Sequence, residues 1–170
     1  MDLSHINQVY YIISQIFIAL HLFYIMMSDY RIIGLEEVVI AVKDVSKAGK
    51  FFSEVLGINF NYSWILEHEG IKILSSKLDD TQFQLMEPIS EESTVYKFIM
   101  KRGEGIHHIA FRVEGLENLI NRLRDLGIRI IPDKPVKIRN PHGEGWLKYI
   151  FIHPKDAYGT LIEFIEYSDE

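Results

Sequence analysis

The chain contains no cysteine. Disulfide staples and thiolate metal sites are thereby excluded, and the absence fits a reducing, cytoplasmic compartment. It also lacks any block of basic residues. Lys and Arg total 18 against 24 Asp and Glu, for a net charge of −6, so a nucleic-acid footprint is set aside. Charge of either sign is missing from residues 9–27, VYYIISQIFIALHLFYIMM. That run is nearly long enough to cross a bilayer. Ser14, Gln15 and His21 weaken a membrane reading, and MDLSHINQ before it has no basic residue, unlike a signal-peptide n-region. Three readings stay open: a membrane anchor, a helix packed on the domain or a partner, and sequence translated upstream of a true start at Met26 or Met27. What is present is ordinary for a globular domain. Hydrophobic residues make up 48% and charged residues 25% of 170 residues, enough for one domain with a real core.

Behind residues 1–32 the chain repeats itself. GLEEVVIAVKDVSKAGKFFSEVLGINF starts at Gly34, and GIHHIAFRVEGLENLINRLRDLGIRII starts at Gly105. Both pass from a glycine through an alternating strand into an amphipathic helix, a glycine (Gly57 or Gly127) and another apolar strand. Similar strands, TQFQLMEP and TLIEFIEY, close the copies. The fold class expected is α+β: two βαβββ modules, residues 34–88 and 105–167, forming a curved mixed sheet, a half-barrel cleft with helices on its outer face. In the first helix Ala48, Phe51, Phe52, Val55 and Leu56 follow helical spacing. Asp44 or Ser46 suits its start and Gly57 its end. Leu116, Leu119, Ile120 and Leu123 repeat the stripe, and a linker helix is expected near 94–101.

Alternate strand residues face opposite ways. Val38, Ile40 and Val42 form a helix-side set, as do Ile109, Phe111 and Val113, Phe83 and Leu85, and Ile162 and Phe164. The other faces then carry Glu37, Gln84, His108 and Glu163, one metal-competent side chain per strand. Superposing the copies pairs Glu37 with His108, 71 residues apart, and Gln84 with Glu163, 79 apart. A pseudo-twofold arrangement would bring all four together. Glu37 and Glu163 have a plainer reading as solvated strand carboxylates, with Arg112 a partner for Glu37. By the same alternation His107 is expected to face away from His108, in a structural role, and His153 to serve the turn before Pro154.

RGEGIHHIAFRV, from Arg102, is similar to the start of the second module in methylmalonyl-CoA epimerases of the vicinal oxygen chelate superfamily. TQFQLMEPISEESTVYKFI and FIHPKDAYGTLIEFIE resemble two further stretches of that family. The resemblance spans residues 33–167. It implies a divalent metal held by one residue from each of four strands, typically His, Gln or Glu, His and Glu. Gln84, His108 and Glu163 match those positions, while Glu36-Glu37 stands where Asp-His is usual. An extra carboxylate on a first-module strand of some epimerases falls here at Ile73, with Glu67 and Glu69 nearby.

The oxygen-rich set Glu37, Gln84, His108 and Glu163 suits Co²⁺, Mn²⁺, Ni²⁺, Fe²⁺ or Mg²⁺. The resemblance implies proton abstraction beside a thioester carbonyl of an acyl-CoA, inverting the α-carbon, with Glu163 and then Glu37 as candidate catalytic bases. Lys148, Lys155 and His142 are candidates to bind an acidic substrate such as coenzyme A, and a homodimer is implied. The competing functions are a glyoxalase-type lyase or isomerase, another superfamily enzyme, and a metal-free small-molecule binding protein.

Overall fold

Apolar alternation interrupted by glycine-bounded helical stripes produces, in the computed structural model, a single eight-stranded sheet. The structure describes residues 7–18, 29–141 and 143–169. After helix α1 (residues 7–18) the first module runs β1 (Arg31–Ala41), α2 (Val45–Leu56), β2 (Tyr62–Leu66), β3 (Ile71–Leu78) and β4 (Thr81–Pro88). Helix α3 (Thr94–Arg102) links it to the second: β5 (Gly105–Glu114), α4 (Leu116–Asp125), β6 (Ile130–Arg139), β7 (Trp146–Ile152) and β8 (Leu161–Ser168). The strand order β2-β3-β4-β1-β5-β8-β7-β6 reads the same from both ends once β1 is matched to β5 and β4 to β8. The expected α+β half-barrel of two βαβββ modules is the observed fold.

The helices obey their sequence signals. Asp44 caps α2, its Oδ1 accepting from the Ser46 and Lys47 N–H groups at 2.9 Å each. Gly57 closes the helix at φ 71°, where a β-carbon would be strained. Each module also borrows a carboxylate from its last strand to satisfy its helix start. Glu87 on β4 accepts from Val45 N–H at 2.9 Å, and Glu166 on β8 accepts from Gly115 and Leu116 N–H at 2.7 and 3.0 Å. A carboxylate at a helix N-terminus meets both orphan donors and the positive end of the macrodipole. The two clamps are again related by offsets of 71 and 79 residues.

Packing on the outer face follows the expected sets. Val42, Val45 and Leu85 cluster with Ile40, Ala48, Phe52 and Phe83 beneath α2. Val113, Leu116, Leu119, Ile120, Leu123 and Phe164 cluster beneath α4. The linker helix departs from the expectation that helices cover only the outer face. Val95 and Ile99 of α3 pack on Val39, Ala41, Ile71, Ile73 and Met86, which belong to the inner face. These residues are too apolar to line an open cleft, and α3 covers them. The expected apolar stretch 9–27 lies partly outside the described residues. Its described part, within α1, is exposed throughout, and no described helix is long and apolar enough to cross a membrane.

Candidate metal centre

The four central strands, β4, β1, β5 and β8, set the site. Val39 pairs with Gln84 on one side and His108 on the other, so those side chains rise from one level of the sheet. Ala110 pairs with Glu37 and Glu163, which flank it at the next level. Ala110 is fully buried, and its methyl group leaves room for the two carboxylates to converge above it. His108 Nε2 lies 3.0 Å from Glu163 Oε2 and 3.9 Å from Glu37 Oε2. One ligand atom from each of Glu37, His108 and Glu163 lies within 4.8 Å of the others, so the trio could hold a metal ion. Gln84 joins them, its Nε2 donating to Glu37 Oε1 at 2.9 Å. The four sequence-nominated residues therefore meet.

Burial makes this grouping electrostatically unusual. The side chains of His108, Glu163 and Glu37 are 8%, 9% and 13% exposed. Burial pushes the Glu163 carboxyl well above the usual range; His108 pulls it back, while Glu37 and Glu69 push it further up. Burial opposes a charge on His108, but hydrogen bonds and attraction from Glu163 and Glu37 outweigh it and raise the imidazole to about 9. Two buried carboxylates beside one imidazole form an acidic nest that a cation would neutralise. Carboxylate, amide and imidazole donors without a thiolate fit a hard or borderline divalent ion.

A one-residue bulge corrects the expected orientation of His107. Val39 pairs with His108 and Ile40 with Ile106, leaving His107 as the extra residue. The bulge cancels the alternation, so both imidazoles lie on the inner face, their Nδ1 atoms 2.9 Å apart. The His107 ring packs edge-on against Phe98 of α3, with centroids 4.9 Å apart. Burial, then the neighbouring His108, lowers His107 to about 3. The first module has its own bulge at the matching place: Leu35 pairs with Phe111 and Glu37 with Ala110, leaving Glu36 over. Glu36 accepts from the Tyr167 hydroxyl at 2.9 Å and takes Arg112 at 3.6 Å, the ion pair considered for Glu37. Glu36, Arg112 and Tyr167 line a cavity of about 370 Å³ with Lys77, Asp80 and Gln82.

The nominated substrate-binding residues fare differently. Lys148 alternates with Leu147 and Tyr149, which face inward, and so shares the outer face with Ile150. That phase puts Lys148 on the face away from the converging ligands. Lys155 is exposed on the short 3-10 turn Pro154–Asp156, where His153 Nδ1 accepts the Lys155 N–H at 3.1 Å. That places His153 in the expected turn role. His142 lies outside the described residues. Glu69, which the resemblance puts only near the extra first-module carboxylate, lies in the turn between β2 and β3. The Tyr149 hydroxyl donates to Glu69 Oε1 at 3.3 Å, bridging the modules, and Glu69 acts electrostatically on Glu163. Burial first, then the charges of Glu69 and Glu163, raises the Tyr149 hydroxyl and keeps it protonated as a donor. The Glu-rich turn and a tyrosine in the inward phase of β7 were the available signals.

A model of the glyoxalase/bleomycin resistance protein/dioxygenase superfamily matches residues 36–146. The human mitochondrial methylmalonyl-CoA epimerase is 32% identical over 130 residues, 76% of this chain and 71% of that protein. The crystal structure of methylmalonyl-CoA epimerase from Mycobacterium tuberculosis superposes with a TM-score of 0.70 at 36% identity, covering 81% of this chain and 89% of that one. A variant of the Streptomyces coelicolor methylmalonyl-CoA epimerase, solved with 2-nitronate-propionyl-CoA, superposes with a TM-score of 0.71 at 30% identity, covering 80% and 95%.

Proposed function

Because the chain belongs to the glyoxalase/bleomycin resistance protein/dioxygenase superfamily, we propose that it inverts the α-carbon of methylmalonyl-CoA or a closely similar 2-substituted malonyl-CoA thioester. The observation that carries this reading is the convergence of Glu37, His108 and Glu163 within 4.8 Å over Ala110. Its support from relatives is the likeness to methylmalonyl-CoA epimerases over most of the chain.

Glu37, Gln84, His108 and Glu163 would hold a divalent ion, Co²⁺, Mn²⁺, Ni²⁺, Fe²⁺ or Mg²⁺ by their donor chemistry. Such an ion supplies Lewis-acid polarisation of the thioester carbonyl, which acidifies the neighbouring C–H. The chain's own groups then handle the proton. Glu163, its carboxyl held high by burial, takes or returns it on one face of the α-carbon. Glu69 is assigned to the opposite face, across the cleft, where Tyr149 holds its carboxylate. Glu37 is the other candidate base, but Gln84 ties its Oε1, and it serves better as a ligand. His108 and its neighbours Phe151 and Tyr149, in edge-on ring contacts, wall the site against water.

The test is α-proton exchange. Protein loaded with Co²⁺ and given (2R)- or (2S)-methylmalonyl-CoA in D₂O should wash deuterium into the α-position, read by proton NMR. Absence of exchange by the metal-loaded protein sinks the proposal. Elemental analysis of the purified protein separates it from a metal-free binding role.

A further inference from the structure

His107 has no part in the chemistry above, yet it stands directly behind the imidazole at the centre of the candidate metal group. Its Nδ1 is 2.9 Å from the Nδ1 of His108, while His108 presents Nε2 to Glu163 and Glu37. Two ring nitrogens at that distance share one proton: one donates and the other accepts. The position of that proton decides what Nε2 can do. If His107 donates, a neutral His108 keeps its proton on Nε2, where it points at Glu163. If His107 accepts, a neutral His108 carries its proton on Nδ1, and the Nε2 lone pair faces the carboxylates. Only the second arrangement lets His108 ligate a cation through Nε2.

We propose that His107 is a positioning residue that accepts the Nδ1–H of His108 and so holds His108 in the tautomer that ligates a divalent cation through Nε2. The inference rests on the metal reading of the site given above. Its geometric basis is the bulge between Val39 and Ile40, which turns two consecutive imidazoles to one face. Phe98 of α3 packs edge-on against the His107 ring, 4.9 Å between centroids, and α3 itself is anchored by Val95 and Ile99. The linker helix thus braces the metal centre through one intermediate ring. An imidazole here is a pure acceptor with its remaining N–H on Nε2, away from His108.

Three proteins test this: the native chain, His107→Phe and His107→Asn. Phenylalanine keeps an aromatic ring against Phe98 but has no acceptor, whereas asparagine keeps an oxygen near the place of Nδ1. Calorimetric titration with Co²⁺ should give binding weakened on the order of 10- to 100-fold in His107→Phe, the usual cost of losing such a supporting hydrogen bond. His107→Asn should recover most of that loss, which a merely packing role would not predict. A measurement on the native chain does not depend on the variants folding. Nitrogen-15 NMR of the Zn²⁺-loaded protein should place the His108 proton on Nδ1, coupled to the His107 ring. Native Co²⁺ affinity in a folded His107→Phe, or a His108 proton absent from Nδ1 with Zn²⁺ bound, overturns the inference alone. A native chain with no affinity for Co²⁺ overturns the metal reading and this inference together.

Discussion

Under the proposed function Glu163 would be both ligand and base, and those duties would pull on its proton in opposite directions. A bound cation favours the carboxylate, whereas burial and the charges of Glu37 and Glu69 favour the acid. The opposition is useful, because a base works best when its pKa sits near the working pH rather than far below it. Replacing Glu163 by Gln keeps an amide oxygen for the ion but removes the base. Inversion should then fall by roughly 10²–10⁴-fold, the ordinary contribution of a positioned acid–base group, and α-proton exchange should fall for the epimer whose proton faces Glu163 but persist for the one that faces Glu69. Glu69→Gln should show the mirror pattern. With one base left, the epimer whose α-proton faces Glu163 should still exchange in D₂O, while inversion of either epimer is lost. Separate incubations of the two epimers read both quantities. Native inversion by Glu69→Gln would return the second role to Glu37.

Within the elements, backbone irregularities matter as much as side chains. Gly115 starts α4 at φ 78°, and a β-carbon there would collide with the backbone carbonyl of Asp29. Gly34, on β1, has open space around its missing β-carbon. Gly115→Ala should therefore cost at least the roughly 1–2 kcal/mol of a left-handed alanine. In a chain of this size that is a fall in Tm of about 2–4 °C for each kcal/mol. Gly34→Ala should leave Tm nearly unchanged, and thermal melts of the two variants check the contrast. The same irregularities mark where the strand alternation could be read and where it failed. The period of two placed Glu37, Gln84, His108 and Glu163 on one face because each lies on a stretch whose phase is set by buried neighbours. It misplaced His107, because a bulge adds a residue that no local propensity announces. The bulge at Glu36 was equally silent, so Arg112 was matched to the wrong glutamate.

Across the whole molecule the duplication was the most legible feature, since the offsets that relate Glu37 to His108 and Gln84 to Glu163 also relate the carboxylate clamps on α2 and α4. Contacts between modules were not legible. Glu69 meets Tyr149 across 80 residues, and nothing in either local pattern specifies that meeting. Whole-molecule stability should carry the mark of the site in its pH dependence. Asp156, held to about 2 by Arg129, contributes stability that is present above 3.8 and lost as pH falls through about 2. His108 in the metal-free protein is raised from 6.5 to about 9, so its contribution is complete below 6.5 and is lost as pH rises through about 9. Glu163 is also raised, and it too loses its contribution as pH rises. Metal-free protein should accordingly melt at progressively lower temperature from pH 6.5 to 9. A cation needs the deprotonated donors, so its binding strengthens over the same interval and stabilises the folded state by mass action. The gap in Tm between Co²⁺-loaded and metal-free protein should therefore widen with rising pH. A metal-free Tm that stays level across this interval would mean that His108 does not hold its extra proton in the folded chain.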